Sequence, residues 1–190
     1  MNDAVSLTLT SRGRYVVLIC AFLGWFCAGF HLAITTLAMQ PAATDLLGRT
    51  GQLDVPRFQA LNKLAPKIGA KAVSASTMSD FDKSQFDEWS GRVARWNAWL
   101  VCAFLFGAAS GGLLFGRIGD RFGRSKSMAL SILTYSSMAA AASFSQSPWQ
   151  LLALWFLACT GVGGMWPNGV ALVSEAWSSL SRAADRKSVV

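Results

Sequence analysis

The chain has 190 residues, 53% of them hydrophobic and only 14% charged, with eight tryptophans and a formal net charge of +7. So apolar a composition departs from that of soluble domains in one direction and reads as a membrane protein. The cations flank apolar runs and do not line one amphipathic face, which argues against nucleic acid as a partner and for a role in membrane orientation.

Asp, Glu, Lys and Arg are confined to the first 14 residues, to 41–95, to 116–127 and to the chain beyond 174. The uncharged gaps between them are the candidate spans. All four cysteines (Cys20, Cys27, Cys102, Cys159) fall inside apolar runs, so neither a disulfide framework nor a CxxC metal site can be argued, and no metal or cofactor is expected.

A short basic N-terminus (1–14) precedes the first apolar run, Tyr15 to Met39. That run is longer than the 7–15 residues of a signal-peptide core and long enough to cross about 30 Å of hydrocarbon as a helix, so it is expected to be retained as a span that stops before Pro41. Residues 40–95 are polar, carry Pro41, Pro56 and Pro66, and hold eight cations against six acids in 41–95. They are expected to form an extracytoplasmic loop with one or two short helices; the stretch from Val55 to Val73 has some helical periodicity but is broken by proline, and reads as a segment lying against the rest of the loop.

The second span is expected at 96–116. Its Gly107, Gly111, Gly112 and Gly116 recur at four-residue spacing, which predicts a face where another helix backbone comes close. The third, 127–144, is rich in Ala and Ser and predicts packing among other helices more than against lipid. Ser147 then stands at an N-cap position and Pro148 at the first helical position, where its missing N–H costs nothing. The fourth span is expected over 149–176, with a polar cytoplasmic tail, 177–190. Trp96, Trp99 and Trp149 all fall at helix ends on one side of such a bundle, the depth that indoles favour.

Between the second and third spans lies "GRIGDRFGRSKS" (Gly116 to Ser127), four cations and one carboxylate. The inner segments of this topology hold nine Lys and Arg in 41 residues against eight in the 55 of the polar segment. That density places the N-terminus and the 117–126 hairpin inside, at the cytoplasmic membrane. Gly116 and Gly123 are expected to permit a tight reversal and close helix approach. Asp120, beside an apolar helix end, needs compensation by cations or by a helix N-terminus.

The hairpin resembles the signature loop of the major facilitator superfamily through Gly116, Ile118, Gly119, Asp120, Arg121, Gly123, Arg124 and Lys126, in the same position between two spans. The fourth run, "GVGGMWPNGVALVSEAW", resembles the fourth-helix pattern of the metabolite and sugar symporters of that superfamily, with Gly161, Gly163, Gly164, Pro167 and Glu175 in place. The resemblance implies an all-α membrane fold in which these four helices are the first part of a twelve-helix transporter. It further implies that Gly116, Gly119, Asp120, Arg121, Gly123 and Arg124 form a conformational latch that breaks and reforms in alternating access. Glycines at 161, 163 and 164 would admit a neighbouring helix or a solute, and Pro167 would free a carbonyl and kink the helix. Glu175 reads either as a partner of Arg121 or Arg124 or as a solvated helix-end acid.

The pattern has departures. Trp155 stands where arginine is frequent, Cys159 where a glycine is, Met165 where an acid is, and Ala28 and His31 near where first-helix carboxylates are. Proton coupling through such a carboxylate is therefore not carried over. His31, the single histidine, reads either as a solute- or proton-handling group or as a neutral imidazole hydrogen-bonded to a neighbouring helix.

The functional expectation is secondary transport of a small polar metabolite, with proton coupling as one option. The alternative is a non-transporting four-helix scaffold or regulator with a relic signature loop. Enzyme chemistry is not expected, since no catalytic grouping, metal cluster or phosphate loop is present in the sequence. Four helices of twelve suggest an N-terminal portion whose partners are the bilayer, the solute, and further C-terminal helices or a complementary chain.

Overall fold

A computed structural model describes residues 11–64 and 79–187, with side chains as far as 177. Residues 1–10, most of the basic start, residues 65–78 of the polar segment including Pro66, and residues 188–190 of the tail lie outside the described part. Within it the chain is helical: α1 (Ser11–Arg49), α2 (Val55–Leu64), α3 (Asp80–Phe122), α4 (Arg124–Ala142) and α5 (Pro148–Lys187).

Three of these, α1, α3 and α5, are long and apolar enough to cross a membrane, and α4 is not among them. The helices do not share burial equally. The apolar stretch of α5 is 50% buried, against 17% for that of α1. α5 is thus the central helix, with α3 and α4 packed most extensively on it and α1 beside them. On the outer side of α1, Phe22, Phe26 and Phe30 stack in sequence, each 60% exposed or more. Apolar surface on that scale belongs against lipid or other helices, not water. The described residues are those of a multi-pass membrane protein.

Three expectations about boundaries are corrected. First, α1 does not stop before Pro41 but runs through it to Arg49. The proline costs one backbone hydrogen bond, yet the turns beyond it bury Ala43, Leu46 and Leu47, and that packing offsets the loss. The helix ends instead at Gly51, whose φ of 72° lets the Gln52 N–H reach the Leu47 carbonyl (2.9 Å) and the Gly51 N–H reach that of Gly48 (3.0 Å). This is a Schellman closure.

Second, much of the polar segment is not loop. α3 begins at Asp80, with Asp80 and Asp82 in its first turn, where carboxylates suit the helix dipole. Phe86, Trp89, Val93 and Trp96 recur at helical spacing and close over Leu47, Leu53 and Phe58. α2 forms in the stretch where proline argues against a regular helix, with Pro56 in its first turn, and contributes Phe58 and Leu61. Third, the 117–126 hairpin is two helix ends meeting at one residue. α3 continues to Phe122 and α4 starts at Arg124, with Gly123 between them at φ 99°. Nothing before Gly123 breaks a helix, so the chain does not leave one until it must.

The start of α5 is as expected. Ser147 Oγ accepts the Gln150 N–H at 3.3 Å, and Pro148 opens the helix. α5 then runs on to Lys187, where a polar tail was expected after 176. α4 buries two of its small polar residues, Ser127 and Ser131, completely, while Ser125, Ser136 and Ser137 are exposed.

Candidate functional site

Glycine placement decides how closely α5 meets its neighbours. A Cβ on Gly107 would stand 2.7 Å from the Phe156 carbonyl oxygen, and one on Gly111 would strike the Thr160 backbone. From the α5 side, a Cβ on Gly161 would lie 2.8 Å from the Ser131 carbonyl of α4, one on Gly163 would strike Ala108 of α3, and one on Gly164 would meet the Phe115 ring at 2.5 Å. The three motif glycines of α5 thus each admit a neighbouring helix. Pro167, four residues on, cannot donate to the Gly163 carbonyl. The Gly163 oxygen faces Gly112, 3.7 Å from where that residue's Cβ would stand. Gly116 departs from expectation: nothing lies within 4 Å of its would-be Cβ, so it takes no part in a close approach.

The junction of α3, α4 and α5 gathers the signature residues. Asp120, in the last turn of α3, accepts a hydrogen bond from Arg124 Nη2 at the start of α4. The same guanidinium places Nε 3.8 Å from Glu175 Oε1 on α5. Arg124 therefore serves two carboxylates on two helices and compensates Asp120 at a helix C-terminus, where the dipole opposes a negative charge. Of the two candidate partners of Glu175 it is Arg124 that the geometry selects. Arg121 instead lies over the Phe122 ring, 5.8 Å from its centroid. Asp120 and Glu175 are 65% and 63% exposed while Arg124 is 24% exposed, so the cation is the embedded member.

Beneath this surface triad is a buried polar group that sequence reasoning passed over. Asn168 is fully buried. Its Nδ2 lies 3.0 Å from the Phe115 carbonyl, 3.0 Å from Ser127 Oγ and 2.8 Å from the Gly164 carbonyl. Ser127 Oγ in turn donates to the Phe115 carbonyl at 2.5 Å. An Asn in an otherwise apolar span, directly after a proline, was the available signal, because a buried amide in a membrane helix must find partners.

His31 lies elsewhere, between the Tyr135 and Trp155 rings at centroid distances of 5.8 and 6.3 Å. Its Nε2 is buried without a hydrogen-bond partner among the described residues. It borders a cavity of about 270 Å³ shared with Thr35, Met39, Ser143 and Trp155. The departures from the family pattern are mostly core: Ala28, Cys159 and Met165 are buried, and Trp155 is buried with its Nε1 donating to the Leu100 carbonyl at 3.2 Å. Among the described residues no group of His, Cys, Asp and Glu could hold a metal ion.

The described helices thus pack as an α-helical membrane bundle around the glycine-lined α5. The chain belongs to the major facilitator superfamily, which residues 15–184 match. It is similar to the niacin transporter NiaP of Acinetobacter baylyi, 39% identical over 133 residues, 69% of this chain and 30% of that protein. A Haemophilus influenzae protein named for metabolite transport is 37% identical over 84 residues, 44% of this chain and 21% of that one. The benzoate transport protein of Acinetobacter baylyi is 40% identical over 76 residues, 37% of this chain and 16% of that one. The matches thus span less than a third of each relative's length. No solved structure matches at comparable significance.

Proposed function

We propose that the chain forms the first helices of a secondary transporter that moves a small polar metabolite across the cytoplasmic membrane by alternating access. The observation that carries this reading is the Asp120–Arg124–Glu175 triad, set at one end of a helix group packed through glycine. In this reading α4 also crosses the membrane, as the third span, with α5 as the fourth; the N-terminus and the α3–α4 junction face the cytoplasm, and the α2 region faces outward. The triad, with Gly119, Arg121 and Gly123 around it, is one side of a latch that opens and closes between states. The two relatives named for niacin and benzoate point to a solute with an aromatic ring and one carboxylate. His31, wedged between two rings beside a cavity, is the candidate solute- or proton-handling group.

Alternating access needs two bundles about a central site, so these helices reconstituted alone should give no flux above empty liposomes. The test is a chimera in which this chain, through α5, replaces the matched part of the niacin transporter. Cells expressing it should accumulate labelled nicotinate or benzoate saturably. An inserted chimera that accumulates neither, beside an active parent, would sink the proposal.

A further inference from the structure

We propose that Asn168 is the positioning residue of the α3–α4 junction: a buried amide on α5, and not the surface charges, sets where the signature residues stand. Among the described residues, two polar contacts between this junction and α5 differ in burial. The Glu175–Arg124 contact joins a carboxylate that is 63% exposed to a half-buried guanidinium across 3.8 Å, and a pair with one member so open to solvent, at that separation, holds geometry weakly. Asn168 is 0% exposed and reaches acceptors from three helices: the Phe115 carbonyl of α3, Ser127 Oγ of α4 and the Gly164 carbonyl of α5 itself. Hydrogen bonds in that environment are strong and directional, and their loss strands buried groups.

The amide also explains a signature position. Asn168 Oδ1 has no N–H or O–H partner among the described residues, and it occupies the place where a Cβ on Gly119 would stand. Arg124 flanks the same spot, with Cδ and Nη1 each 3.2 Å from it. Gly119 is therefore required by Asn168. The absence of a side chain at 119 lets the amide and the Arg124 stem lie together against α3, which in turn aims the guanidinium at Asp120 and Glu175.

The inference rests on the transport reading only for what the latch serves, and it is tested without solute. Spin labels at exposed Ser125 and Ser174 report the junction against α5, and labels at Gln59 and Ser84 report the α2–α3 region as a control. In the full chain in nanodiscs both pairs should give narrow distance distributions. Asn168→Ala should roughly double the width of the 125–174 distribution while leaving 59–84 unchanged. Asp120→Asn and Glu175→Gln should leave both narrow. Gly119→Ala, which places a methyl where Oδ1 lies, should reproduce the selective broadening, and it decides the matter if Asn168→Ala loses the fold. An unchanged 125–174 distribution in Asn168→Ala, broadening by the charge variants, or a Gly119→Ala that disturbs both pairs or neither would each overturn the proposal. Failure of the chimera to transport would leave these distances as they are and count against the transport reading alone.

Discussion

Gly111 of α3 rests on the backbone of Thr160 in α5 so closely that no Cβ could stand between them. Five residues further along the same helix, Gly116 has open space where its Cβ would be. Gly111→Ala should therefore destabilise the helix group by about 1–3 kcal/mol through overpacking. Gly116→Ala should be neutral or stabilising by up to about 1 kcal/mol, the gain of alanine over glycine inside a helix. Unfolding in mixed detergent followed by circular dichroism compares the two, and equal losses would contradict this account of the α3–α5 contact.

Orientation is read by labelling. Trp96 and Trp149 meet edge to face with centroids 4.9 Å apart, at the ends of apolar stretches on the side of the α2 region, a depth that suits an interfacial belt. In a background without native cysteines, Gln59→Cys should react with an impermeant maleimide in intact cells. Ser125→Cys should react only after permeabilisation. The opposite pattern would invert the topology.

Asp120 lies at a helix end and is 65% exposed, whereas solute sites of such transporters lie near the membrane midplane. In the chimera, Asp120→Asn should lower the maximal uptake rate on the order of tenfold, as expected for about 1.4 kcal/mol lost from a conformational step, with KM shifted no more than about threefold. A large rise in KM at unchanged maximal rate would assign Asp120 to solute binding instead.

His31→Phe keeps a ring between Tyr135 and Trp155 and removes both nitrogens. If His31 handles solute or protons, chimera uptake should fall by about tenfold or more, the scale for losing one polar contact to a reacting or bound group. His31→Gln, which retains donor and acceptor capacity, should recover part of it. Uptake untouched by His31→Phe would leave the histidine a packing residue.

The sequence by itself determined the class of protein and the motifs. Runs of uncharged residues, the basic stretch between two of them, the glycine spacing in α3 and the Ser147–Pro148 start of α5 are local patterns, and hydropathy, charge and helix-start chemistry are read locally. The signature was legible for the same reason, since its residues lie within a dozen positions. Tertiary structure decided what depends on which faces meet. Pro41 reads as a stop because its cost is local, while the burial of Ala43, Leu46 and Leu47 that carries α1 past it is contributed by distant residues. The helical repeat from Phe86 to Trp96 was present among the charges of the polar segment, but its apolar face acquires meaning only against Leu47, Leu53 and Phe58. Spacing likewise could not separate Gly111, pressed on α5, from Gly116, pressed on nothing, nor choose Arg124 over Arg121 as the partner of Glu175. Asn168 shows the limit most plainly: a buried amide is costly until its partners are known, and those partners, 41 and 53 residues away in sequence, come together only when three helices close on one another.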